Sequence, residues 1–210
     1  MSRRSSNTCV RGRDAIRLVD RVITRDACKL AVGQVYYTPV VRRARQGDRR
    51  RDGDAPDRRT RYRWTAADPS LRWLTQNAIG LDVTIEDVSE QVAALALRDR
   101  RRAACSTRSA DADIRGLSYF RMTHGSIAGV PVDISRTGYT GDLGYEIWMP
   151  WDRAIAVWDA LMRGGRPFDI HAVGMLALDV ARVEAGPAAD RRRLQWQQEG
   201  ADRSAELTPR

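Results

Sequence analysis

The chain has 210 residues, 42% of them hydrophobic and 30% charged, with a formal net charge of +9; that is enough apolar material for one sizeable core. No apolar run approaches the roughly 20 residues that span a bilayer, and the opening MSRRSSNTCV lacks the apolar stretch of a secretory signal. Three cysteines in no C-x-x-C pair and two distant histidines, His124 and His171, argue against a disulfide framework or a zinc site and fit a reducing cytoplasm.

In chain order, Asp14 to Val22 carries Ile16 and Val19, followed by Ile23, at helical spacing and predicts a helix. GQVYYTPV reads as a strand, and YRWT as another. Asp68-Pro69 then combines an N-cap residue with proline at the first helical position, opening a helix expected to bury Leu71, Leu74 and Ala78. DVTIEDV alternates, placing Val83 and Ile85 on one face. QVAALAL is apolar throughout, which suits a central buried strand. LSYFRMTH and VPVDISR are strand-like with a turn near Ala128-Gly129, and GYEIWMP is a further strand. Trp151 to Arg163 predicts a helix with Ile155, Trp158 and Met162 inward, stopped by Gly164-Gly165. A last helix covers roughly Val173 to Glu184. Strands and helices mix without strict β-α-β alternation, so the predicted class is α+β.

The basic residues are 35 arginines and a single lysine, Lys29. Segments 1–9, 41–60, 98–109 and 187–210 hold 20 basic and 9 acidic residues, a net of +11, while the remainder holds 16 and 18, a net of −2. The bulk of the chain is therefore slightly acidic, and all the excess positive charge lies in patches. DRRR recurs at Asp48–Arg51, Asp99–Arg102 and Asp190–Arg193, too unevenly spaced for a solenoid repeat. The patch at 41–60 interleaves no aromatic residues that would stack bases, which disfavours a nucleic-acid arm.

ISRTGYTGDLGYEIWMP (Ile134–Pro150) resembles the signature of the folate-dependent aminomethyltransferase family, which includes the T-protein of the glycine cleavage system and related demethylases. Four further stretches are similar to that family in the same order. VRGRDAIRLVDRVITRDACKLAVGQVYYTP resembles its early helix and strand, YRWTAADPSLRWL and LDVTIEDVSEQVAALAL its middle, and GMLALDVARVEAG its ending helix. Together they cover about two thirds of the chain. The resemblance implies an α+β folate-binding domain of the aminomethyltransferase N-terminal type over 10–186, incomplete and without the family's C-terminal barrel domain.

The arginine patches depart from the family pattern. Between YTPV and RYRW the family carries something like C-D-E-x-G-x-V-I-D-D-G, after ALAL it carries Q-G-P, and after EAG it carries L-L-L-I-D-V-D-Y; none of these stands in this chain. A shift of reading frame accounts for all three. With suitable codons, Val41–Arg51 read one base on gives C-D-E-R-G-R-V-I-D-D-G. Arg98–Ser109 read two bases on gives G-P-T-T-R-R-V-L-D-A-E, and PAADRRRLQ read one base on gives L-L-L-I-D-V-D-Y. Segments 41–60, 98–109 and 187–210 are accordingly read as out of frame, the last as a disordered tail.

The resemblance also implies a chemistry. The family holds tetrahydrofolate and moves a one-carbon unit to its N5, with no metal required. A carboxylate must pair with the adjacent N–H donors of the pterin edge, and aromatic walls must hold the flat ring and exclude water. Glu146, in LGYE, matches the pterin-binding glutamate. Tyr139, in GYTG, lies on a glycine-flanked loop where the backbone can approach a ligand closely. Tyr62 matches an aromatic that lines the site, and Trp64 points the same way along an alternating strand; plain core packing is the other reading of both. Arg136 is expected at the surface, His124 as a satisfied core histidine, and Asp142 has no assigned role. The catalytic aspartate belongs to V-I-D-D, which is missing, and nothing makes Asp48, Asp52 or Asp54 its replacement. Leu178 stands where the family has a folate-contacting arginine.

The expected function is tetrahydrofolate-dependent aminomethyl or methyl transfer, with activity of this fragment doubtful because the catalytic motif is absent. The implied partners are a small-molecule one-carbon donor or an aminomethyl-lipoyl carrier protein, with no nucleic acid and no membrane. The alternatives are a non-catalytic folate-binding or interaction protein and, less favoured, a basic nucleic-acid binder.

Overall fold

Four consecutive residues, Asn7 to Val10, are buried, so both faces of the strand that carries them are covered, since successive side chains point to opposite faces. In the computed structural model, which describes residues 6–38, 61–66, 70–98, 111, 114, 116–138, 140 and 144–185, they lie on β1 (Ser6–Arg11), the middle strand of three. β2 (Arg61–Ala66) and β3 (Thr84–Asp87) pair with it antiparallel, setting Thr8 opposite Trp64 and Asp87, and Val10 opposite Tyr62 and Ile85. The chain divides into two compact units, and this sheet belongs to the first.

The first unit's core is built by α1 (Ala15–Val22) and α2 (Leu71–Asn77). Ala15, Leu18, Val19 and Val22 follow the i, i+3, i+4, i+7 stripe of an amphipathic helix, and they bury together with Val10, Ile23, Ala27 and Leu74. Each of the larger aliphatic side chains contributes about 1.5–3 kcal/mol by burial. The predicted helix is present, but Ile16 falls outside that stripe and is only partly buried. α2 buries Leu74 fully, with Leu71 and Ala78 half-buried. Asp68-Pro69 lies outside the described residues.

Gly33–Thr38, the described part of GQVYYTPV, does not form the expected strand. Gln34 bridges Arg121, Met122 donates its N–H to the Gly33 carbonyl, and Val35 donates to the Phe120 carbonyl. Phe120 has φ +58°, a left-handed conformation that an extended partner strand cannot continue through.

The second unit contains the body of a four-stranded sheet. Its strands are β4 (Val92–Arg98), β5 (Met122–Ile127), β6 (Val130–Ser135) and β7 (Gly144–Pro150), in the order β4-β7-β6-β5. β5 and β6 form the expected hairpin. Ala128 and Gly129 both have positive φ, +52° and +74°, the two-residue turn whose twist matches that of the flanking strands. Val130, Val132 and Ile134 alternate into the interior from β6, as do Tyr145 and Ile147 from β7. Tyr145 is 2% exposed and donates its hydroxyl to the Ile114 carbonyl at 3.1 Å, so the buried ring carries no orphaned polar group.

Two expectations are corrected here. QVAALAL is an edge strand in this order, not a central one; its run is dominated by alanine, and Ala93 alone among the residues of β4 is buried. The helix after β7, α3 (Ala154–Gly165), buries Val157, Leu161 and Gly165. Ile155 and Trp158 are 78% and 40% exposed. The helix ends at Gly164-Gly165 as expected, and Gly165 packs against the Ile170 side chain, which a β-carbon would strike. A last helix, α4 (Met175–Glu184), follows as expected, with no buried residue.

Candidate functional site

β7 starts with Gly144 and alternates thereafter. Tyr145 and Ile147 point inward, so Glu146 between them points to the opposite face, half-buried. Its carboxylate is held from two sides, and every group involved belongs to the second unit. Thr137 Oγ1 donates to Oε2. Arg98 Nη2 donates to Oε1 at 3.1 Å, with side-chain exposures of 16% for Arg98 and 26% for Glu146.

The loop between β6 and β7 is pinned to this carboxylate. Ser135 and Thr137 are buried, with their hydroxyl oxygens 2.8 Å apart. An ionised carboxylate only accepts, so the single Thr137 proton points at Glu146 and Ser135 must donate to Thr137. The backbone of the same loop is held too. Arg98 Nη1 donates to the Thr137 carbonyl at 2.5 Å, Tyr119 donates its hydroxyl to the Gly138 carbonyl at 3.1 Å, and Arg136 Nη1 donates to the Leu117 carbonyl at 2.8 Å.

Arg98 reaches Glu146 because β4 and β7 are neighbours in the sheet, which brings the last residue of β4 beside the first residues of β7. Its guanidinium lies flush on two glycine backbones. A β-carbon at Gly138 or at Gly144 would overlap it. Two polar atoms of Arg98 find partners, while Nε is buried and has none among the described residues.

Of the residues expected at the site, Glu146 is therefore on a strand, braced and partly open to solvent. Tyr139 lies outside the described residues, as do Asp142 and Asp48, Asp52 and Asp54. Tyr62 and Trp64 stand on β2 in the first unit, half-buried, and both pack against the core of that unit. Arg136 is not a free surface arginine but a strut to the Leu117 carbonyl. His124 is not a core histidine: its side chain is 81% exposed on β5 and meets Asp133 of β6, Nδ1 to Oδ1 at 2.6 Å. An exposed strand face of a hairpin invites such a cross-strand pair. Leu178 lies on α4.

Arg98, Thr137 and Ser135 went unrecognised in the sequence. The signal for Thr137 and Ser135 was their place two residues apart where β6 runs into the glycine-rich loop. Arg98 offered only a charge closing an apolar run, and its partner is 48 residues away. Among the described residues, no group of three or more His, Cys, Asp or Glu side chains is disposed to hold a metal ion, and no helix is long and apolar enough to cross a membrane.

The sequence model of the GCVT N-terminal domain matches residues 4–192. The aminomethyltransferase of Porphyromonas gingivalis is 34% identical over 190 residues, covering 84% of this chain and 50% of that protein. That of Caldanaerobacter subterraneus subsp. tengcongensis is 30% identical over 189 residues, 84% of this chain and 48% of that one. The chain thus spans about half the length of the curated relatives it matches. Among solved structures, the glycine cleavage system aminomethyltransferase T from Bartonella henselae superposes with a TM-score of 0.69 at 22% identity, over 88% of this chain and 49% of that one. The heterotetrameric sarcosine oxidase from Corynebacterium sp. U-96 gives 0.59 at 18% identity, over 82% of this chain and 85% of that one.

Proposed function

The chain belongs to the GCVT N-terminal domain family, and from that membership we propose that it carries the folate-binding half of a tetrahydrofolate-dependent one-carbon transferase. The observation that carries the proposal is Glu146, a half-buried carboxylate braced by Thr137 at the end of a glycine-rich loop. Tetrahydrofolate supplies the nucleophilic N5 that accepts the one-carbon unit.

The residues present fit such a ligand at its pterin edge. Each carboxylate oxygen has two lone pairs, and Thr137 and Arg98 use one on each. A carboxylate matched to a pair of adjacent N–H donors gives bidentate, charge-assisted bonds. Thr137 fixes the carboxylate's rotation, so little freedom remains to be lost on binding. Tyr139, in the GYTG motif, is proposed as a further contact to the folate. The donor is a small one-carbon compound or an aminomethyl-lipoyl carrier protein. No catalytic aspartate is assigned, because the segment where the family carries V-I-D-D reads otherwise here. We further propose that 41–60, 98–109 and 187–210 are translated out of frame and that the protein acts in the cytoplasm.

Titration with 5-formyl-tetrahydrofolate, read by calorimetry, tests the binding. Glu146→Gln keeps the shape, loses the charge and puts a donor where an acceptor is needed, so affinity should fall at least tenfold. Equal affinity for both proteins would remove Glu146 from the pterin site.

A further inference from the structure

We propose that Arg98 is an internal occupant of the Glu146 carboxylate, and that a pterin edge engages Glu146 fully only once this guanidinium has left it. The inference rests on the reading of Glu146 as the pterin carboxylate.

The first argument is chemical likeness. A guanidinium presents N–H donors on either side of one planar carbon. The 2-amino-4-oxo edge of a pterin presents the same array, an amino group and a ring N–H on one carbon. Arg98 already gives Glu146 Oε1 the kind of bond the ligand would give. The second argument is space. The guanidinium rests on Gly138 and Gly144 so closely that a methyl group at either would overlap it. The surface that two glycines leave open beside Glu146 is thereby filled from within. The third argument is charge. With Arg98 seated, the pair is neutral overall, and the attraction of Glu146 for further donors is weakened at short range, where it matters most.

The seat is not a perfect one. The pair is end-on rather than bidentate, since Nη1 is spent on the Thr137 carbonyl, and Nε is buried without an acceptor among the described residues. A buried, unsatisfied N–H favours the state in which Arg98 swings out to water. Folate then binds with an apparent affinity reduced by the fraction of molecules in which Arg98 is out.

The test is the affinity of the full chain and its variants for 5-formyl-tetrahydrofolate, with thermal melts to establish that each is folded. Arg98→Gln removes the charge and keeps polar reach; Arg98→Met keeps the stem and the packing without donors, and serves if the first variant does not fold. Either should bind at least tenfold more tightly than the parent chain, and the gain should vanish in Arg98→Gln/Glu146→Gln. A merely structural Arg98 would give the opposite sign, lower stability with weaker or equal binding. If Glu146→Gln lowers affinity while neither Arg98 variant raises it, Arg98 is no occupant and the folate reading stands. If folded parent and Arg98 variants alike bind no folate, the folate reading fails and the proposal goes with it.

Discussion

Asp14 and Asp82 hold each other in both directions. The Asp14 N–H donates to the Asp82 carbonyl at 3.2 Å, and the Asp82 N–H donates to Asp14 Oδ2 at 3.0 Å. Asp14 Oδ1 also accepts from Arg17 at 2.9 Å. This double link ties the start of α1 to the loop before β3, and so fixes the helix on its sheet.

The Asp82 N–H, and after it the Arg17 guanidinium, hold the Asp14 carboxyl below its ordinary value of 3.8. A depressed native pKa means stability that is present above the unfolded value and lost as pH falls through the native one. Asp14→Asn should therefore destabilise the chain at pH 7 by about 1 kcal/mol, a figure kept small because the group is partly solvated. Urea unfolding of both proteins should show that gap close as the pH falls below the ordinary carboxylate value. A gap independent of pH would mean that shape, not charge, makes the link.

Gly12, two residues before Asp14, has φ +130°, and a β-carbon there would overlap the Asp82 carbonyl oxygen and lie 2.8 Å from Val83 Cα. Both obstacles are backbone and cannot turn aside. Gly12→Ala should cost about 2 kcal/mol or more. Gly129→Ala, at φ +74° with open space around it, should cost about 1 kcal/mol. Denaturant melts that rank the two the other way would refute the close approach of Gly12 to the loop before β3.

The inward face of α3 can be read out by truncation. Leu161 is 5% exposed and Ile155 is 78% exposed. Leu161→Ala should cost about 2–4 kcal/mol, and Ile155→Ala no more than about 0.5 kcal/mol. Comparable losses would restore the face centred on Ile155.

Local chemistry was legible; long-range pairing was not. The Ala128-Gly129 turn, the apolar stripe of α1 and the alternation of β7 are set by residues within a few positions of one another, and each could be found from spacing alone. Glu146 was singled out as a candidate by its place in one continuous motif. Whether β4 is central or an edge depends on which strands lie beside it, and an alanine-rich run gives no sign of that. GQVYYTPV has the composition of a strand, yet among the described residues its pairing with the Phe120–Met122 stretch is limited to one bridge and two backbone bonds, because Phe120 turns away. Arg98 is the instructive miss: read from the sequence only as the start of an out-of-frame basic segment, it gains a partner once β4 is known to neighbour β7.

The last prediction concerns the gene. Adjacent Asp codons hold CGA across their junction, so an acidic motif read out of frame becomes arginine, and V-I-D-D turns into DRR. The codons for Val41–Arg51 should read V-I-D-D-G one base on, those for Arg98–Ser109 should read G-P two bases on, and those for Pro187–Arg193 should read L-L-L-I-D-V-D. Sequencing decides it directly, since codons incompatible with these readings make the arginine patches genuine. A functional outcome follows from the same shift. In the repaired reading Q-G-P follows the apolar run where Arg98 now stands, so no guanidinium is available to sit on Glu146. The repaired chain should then bind 5-formyl-tetrahydrofolate at least as tightly as Arg98→Gln, and adding Glu146→Gln should lower both by the same factor, because both present the same uncovered carboxylate. A repaired chain that binds like the parent, with its Glu146 still essential, would show that something other than Arg98 limits the site.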